Sequence, residues 1–229
     1  MVSDPLADLA RLEGVPSAVA AALDSVDAVL RDRGLRVLSA EALAESLLRG
    51  ARASATLSGE GDRWLPGAVR LSSELAALAG TLRVAPAQAL ARAHVLVARG
   101  QVPAEQLGRV RSAEGVHARL AGVTALLTGR STVSAVVLGA VVHAELASVA
   151  PFGSADDLVA RAAEHMVLIS EGVDPRGAIP VEAGHAETVI AYRAALEDYA
   201  GGSLTGVRGW LVHCATALSR GAELSALRR

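Results

Sequence analysis

The sequence contains no lysine and no asparagine, one cysteine (Cys214), one phenylalanine (Phe152), two tyrosines and two tryptophans in 229 residues. The missing lysine excludes Schiff-base chemistry and a P-loop phosphate clamp, both of which need that amine. A lone cysteine excludes an intramolecular disulfide. No neighbour of Cys214 stands at metal-ligand spacing, so it reads as a buried, inert thiol and no metal set is expected. The most apolar stretch, Val133 to Val142, is interrupted by His143 and Glu145 and is too short to span a bilayer. Asp4 and Asp8 stand where an export signal needs positive charge, so no signal, no membrane partner and a reducing cytoplasm are expected. With a net charge of −2, the chain offers no basic face rich enough for nucleic acid.

Alanine is abundant, with 48 of the 229 positions, and 52% of the chain is hydrophobic. That apolar fraction with so little net charge excludes disorder, and the length suffices for one well-filled core. Alanine lets helices approach closely, so few aromatics are needed to fill it.

Apolar residues recur at helical spacing almost everywhere, and glycine and proline cut the chain into helix-length segments. The pattern predicts helices from Pro16 to about Arg33, ending before Gly34, and from Ser39, a plausible N-cap, to the Ser58-Gly59-Glu60-Gly61 break. Trp64 to Gly67 reads as loop. Further helices are predicted over 71–81, 86–99, 112–129, 132–149, 154–171, 185–200 and 205–227, with an irregular piece at Gly108 to Arg111. The expected architecture is all-α: a single irregular bundle of about eight or nine helices. Residues 1–111 form an N-terminal helical region packed on a core of residues 112–229.

Residues 143–161 carry the most information. They read His-Ala-Glu-Leu-Ala-Ser-Val-Ala-Pro-Phe-Gly-Ser-Ala-Asp-Asp-Leu-Val-Ala-Arg: a helix, a Pro-Phe turn and a second helix starting at the turn. Unpaired N–H groups at such a helix start can face an anion. The segment resembles the core of the Fic (Fic/Doc) family, whose motif is His-Pro-Phe-x-Asp/Glu-Gly-Asn-Gly-Arg-x-x-Arg after a helix ending in His-Ala-Glu-Phe-x-x-Ile. His143, Ala144 and Glu145 match, with Leu146 and Val149 in the last two upstream positions, and so do Pro151, Phe152 and Arg161. Ile190-Ala191-Tyr192-Arg193, Tyr199 and Trp210 resemble the family's C-terminal helices.

The resemblance implies a fold and an ancestral activity, transfer of AMP from ATP with Mg²⁺ to a protein hydroxyl. It also exposes the departures. The base histidine is Ala150, and the acidic metal ligand is Ser154. The Gly-Asn-Gly anion loop is Ala155-Asp156-Asp157, and the first arginine is Leu158. Arg161 survives; in the family it faces a terminal phosphate or an inhibitory glutamate. Ser154 reads as an N-cap, with Asp156 and Asp157 as first-turn acids that complement the helix dipole and repel a polyphosphate. Anion-binding candidates are Pro151, Phe152, Gly153, Ser154, Asp156, Asp157 and Arg161, and no catalytic residue remains.

An inhibitory-helix motif of the family, Ser/Thr-x-x-x-Glu-Gly/Asn, has a possible remnant in Ser54, Ser58 and Gly59, with Ser58 at the glutamate position and Glu60 two places on. His143 reads as a hydrogen-bonded structural histidine. His165 is expected to be half-buried one turn beyond Arg161. His213 and Cys214 point about 100° apart and form no dyad. Arg109 and Arg111 lie where the family docks a target peptide, but two arginines in a loop read first as solvated surface.

The resulting expectation is a degenerate Fic-domain protein without AMP transfer, acting as a binding or regulatory module for an unknown protein partner, with a homodimer possible. The alternatives are a divergent Fic-like transferase using ATP and Mg²⁺, and a homo-oligomeric scaffold.

Overall fold

The computed structural model describes residues 4, 6–33, 39–129 and 131–228. Among these residues there are ten α-helices and no β-strand: α1 (Val15–Arg33), α2 (Ala40–Leu57), α3 (Gly61–Leu82), α4 (Pro86–Ala98), α5 (Val116–Thr128), α6 (Ala135–Val149), α7 (Asp156–Ser170), α8 (Val181–Glu187), α9 (Val189–Ala200) and α10 (Leu204–Leu224). The all-α expectation holds.

Local chemistry sets several boundaries. Ser39, Ser134 and Ser203 each accept a backbone N–H from the first turn of α2, α6 and α10, and Pro86 opens α4 with the φ that a first turn needs. Gly59, at φ 82°, ends α2 in the left-handed region. Gly34, the predicted stop of α1, lies outside the described residues.

The centre of the molecule is the antiparallel pair α6 and α7. Both are buried on nearly every side, which is why α6 (AVVLGAVVHAELASV) lacks a polar face. Helices α3 and α4 cover α7, α2 joins α3 to α8, and α10 packs against α1, α6, α8 and α9. One hydrophobic cluster runs through all these layers, from Val15 and Leu90 to Trp210 and Leu218. Two glycines permit the closest approaches. A Cβ on Gly67 would lie 2.0 Å from the Val97 carbonyl oxygen, and one on Gly184 would lie 1.8 Å from that of Ala217.

Two local expectations fail here. Trp64 to Gly67 is helix rather than loop, because α3 starts ten residues earlier than the pattern suggested. Trp64 is 5% exposed, and with Ala68 and Leu71 it forms a core-facing stripe that outweighs the single hydrogen bond lost at Pro66. The predicted helix 185–200 is two helices, broken at Thr188 (φ −130°, ψ 49°). α8 starts at Pro180, and Gly184 lets its short rod lie on α10. α9 then leaves in a new direction.

Candidate functional site

The turn between α6 and α7 is built on three residues in the left-handed region: Ala150 (φ 44°), Gly153 (φ 75°) and Ala155 (φ 52°). Ala150 caps α6 by donating its N–H to Leu146 O. Arg111 straps the same helix end: its side chain donates to the Ala150 carbonyl at 2.6 Å and the Val149 carbonyl at 2.9 Å, and its own N–H donates to Pro151 O at 2.8 Å. A cation on the last carbonyls of a helix complements its dipole. Arg111 is therefore part of the turn, while Arg109 is exposed.

Phe152, 7% exposed, stacks on His94 of α4 with centroids 4.4 Å apart. The Gly108 N–H donates to His94 Nδ1 at 2.9 Å, which leaves the proton on Nε2 to reach Ser154 Oγ at 3.0 Å. Burial holds this histidine below its ordinary pKa, so it is neutral. Ser154 is thus not the N-cap that the sequence suggested; Ala155 occupies that position without a side-chain bond, and the serine hydroxyl is turned to His94. His94 carries no motif signal. Only its contact with Phe152 and Ser154 gives it a place in the site.

Asp156 bends back over the turn. Its carboxylate accepts the Phe152 N–H at 2.7 Å and the Gly153 N–H as well. Two backbone donors of the turn are therefore occupied by the chain's own carboxylate. Burial pushes the Asp156 pKa up to about 6, against the pull of those N–H groups and of Arg111. Below the ordinary value of 3.8 the group is protonated whether folded or unfolded. Between 3.8 and about 6 the folded state holds the extra proton, so stability falls as pH rises across that window and is flat above it. In urea titrations, the wild type should lose about 2 kcal/mol relative to Asp156→Asn between pH 4 and pH 7. Parallel pH profiles for the two proteins would show that the carboxylate is ionised throughout.

Arg161 is 1% exposed and bonded on three sides. Its Nε donates to Ser54 Oγ at 2.9 Å and one terminal nitrogen to Ser54 O at 2.9 Å and Asp157 Oδ2 at 2.8 Å; the other donates to Tyr192 OH at 3.1 Å. Of the Ser54, Ser58 and Gly59 remnant, Ser54 alone among the three is bonded to Arg161. Ser58 Oγ turns back to Ala55 O at 2.5 Å, and Glu60 pairs with Arg63 on the surface.

Behind Tyr192 lies a constellation that linear spacing does not reveal. Glu164 Oε2 meets His143 Nδ1 at 2.6 Å and His185 Nε2 at 2.9 Å. His143 Nε2 lies 3.1 Å from Tyr192 OH, and His185 Nδ1 lies 3.1 Å from His213 Nε2. All three residues are buried, with Trp210 against both imidazoles. Burial pushes the His143 and His213 pKa values down to about 4. Burial also opposes ionisation of Glu164, but the two imidazoles hold its pKa well below the usual carboxylate range. The Cys214 thiol, driven up by burial, lies against the same carboxylate, while His213 turns to His185.

His165 is not half-buried as expected but fully buried, one turn beyond Arg161 on the same face of α7. There Glu182, 3.0 Å away, and Asp174 overcome the cost of burial and push its pKa up to about 10.

No family model matches the chain, and no curated protein does. Among solved structures it is similar to a Fic family protein from Desulfovibrio desulfuricans G20, with a TM-score of 0.66 and 16% identity, over 90% of this chain and 74% of that one. This likeness agrees with the resemblance carried by His143 to Arg161. The chain has a Fic-like fold.

Proposed function

We propose that the protein is a Fic-fold binding or regulatory module that does not transfer nucleotides. The observation that carries this reading is the Asp156 carboxylate seated on the Phe152 and Gly153 N–H groups. A phosphate entering the turn would have to displace a covalently tethered anion and then sit beside it. Arg161 adds support, since Ser54, Asp157 and Tyr192 already take its donors.

The residues present do not fit a nucleotide-bound Mg²⁺. A hard cation asks for carboxylate or water oxygens, and at the metal position stands Ser154, its hydroxyl on a neutral imidazole. Ala150 has no titratable atom where the family places its general base. General-base catalysis contributes about 10²–10⁴-fold, so its loss together with the anion loop and the metal ligand removes the means of turnover.

Incubation with labelled ATP and Mg²⁺ is the test. No label is expected on the protein itself or on proteins of a lysate, and calorimetric titration with ATP should give no binding heat. Ala150→His should be equally silent, because a base accelerates nothing unless the α-phosphate is held within reach. Label transfer by the wild type would overturn the reading in favour of a divergent transferase.

A further inference from the structure

We propose that His143, Glu164 and His185 form a three-residue binding site for one divalent transition metal of the zinc class. The site is independent of the turn and of the function proposed for it.

The donors suit that metal. His143 Nδ1, His185 Nε2 and a Glu164 oxygen all lie within 4.8 Å of one another. In a tetrahedral zinc site with bonds of about 2.0–2.1 Å, neighbouring ligand atoms are about 3.3 Å apart. The two imidazole nitrogens now stand 2.6 and 2.9 Å from the shared carboxylate oxygen. Admitting the metal therefore needs each nitrogen to step back by only about 0.4–0.7 Å. Two imidazoles and a carboxylate are a borderline set. They favour zinc, or cobalt in its place, over magnesium or calcium.

The surroundings are those that metal ligands require. A ligating histidine needs a partner for its other ring nitrogen, and here Tyr192 OH serves His143 while His213 serves His185. Trp210 supplies an apolar wall, with its ring 4.9 Å from that of His143 and 6.1 Å from that of His185.

The three donors are held together on three separate helices, α6, α7 and α8, so the cluster is assembled by the fold rather than by a local loop.

Because the site is enclosed, the metal should be supplied during folding. The full chain, unfolded and refolded with Co²⁺ and then desalted, should retain about one equivalent, and the spectrum should show the intense visible bands of tetrahedral cobalt. Zinc supplied together with cobalt during refolding should compete for the site and weaken the bands. Glu164→Gln and His185→Gln should each lower retention at least about tenfold. Retention below about 0.1 equivalent by the refolded wild type, with a native far-UV spectrum, would overturn the proposal and leave a hydrogen-bonded cluster alone. Cobalt bands that persist unchanged in Glu164→Gln and His185→Gln would also overturn it, since the ion would then sit elsewhere.

Discussion

Replacing Arg161 by methionine is expected to cost the fold about 3 kcal/mol, because a buried group removed from its partners leaves those partners unpaired. Methionine keeps most of the volume, so the loss is one of hydrogen bonds rather than of packing. The Ser54 hydroxyl and carbonyl, at 2.9 Å from the guanidinium, would face hydrocarbon. Tyr192 OH would lose the donor that completes its link to His143. Asp157 is the exception: its side chain is 40% exposed and can return to water, which keeps the cost below that of a fully enclosed ion pair. For a chain of this size, the thermal midpoint should fall by roughly 6–12 °C. Tyr192→Phe removes one hydroxyl and should cost about a third to a half as much. The comparison discriminates between two uses of the arginine. A guanidinium reserved for an external phosphate would be dispensable to the fold, and Arg161→Met would then be as stable as wild type.

Gly184→Ala should be at least as damaging, although it adds a single methyl group. The new Cβ would lie 1.8 Å from the Ala217 carbonyl oxygen and 2.9 Å from the Gly221 nitrogen. Both are backbone atoms of α10, which cannot rotate away, so α8 and α10 must separate. Overpacking costs about 1–3 kcal/mol where side chains can adjust, and this site belongs at or above that upper end. Gly80→Ala is the matched control. Gly80 is in the interior of α3 with open space around its would-be Cβ, so the substitution should stabilise by about 0.4–1 kcal/mol through helix propensity. Urea midpoints moving in opposite directions for the two variants would establish that close helix contact, rather than glycine content, sets stability. Because His185 follows Gly184 directly, the same variant should also loosen the imidazole from Glu164.

The parts of the molecule legible in the sequence are those governed by neighbours along the chain. Ser39 as a cap, the Gly59 break and the helices flanking Pro151 and Phe152 all depend on a few consecutive residues. Trp64 to Gly67 was misread because Pro66 and Gly67 are local breakers, whereas what holds them helical is distant: a core contact for Trp64 and the α4 backbone beside Gly67. Thr188 was misread for the converse reason, since nothing local announces that α8 must follow α10. In the site, Arg161 stood out as an arginine in an apolar helix, yet its partner Ser54 is 107 residues away. Ser154 and Asp156 were each assigned a helix-start role that their neighbours suggest, but His94 draws off the first and the turn's own N–H groups draw off the second. The Glu164 cluster was the least legible, because its two histidines are each 21 residues away on separate helices.

Ala150 and Ala155 carry a consequence for how the turn keeps its shape. An alanine in the left-handed region bears a penalty of about 1 kcal/mol that glycine avoids. Packing of Phe152 on His94, the Arg111 strap and the Asp156 carboxylate impose the curvature from outside. The bend is thus held by tertiary neighbours against the local preference of its own residues.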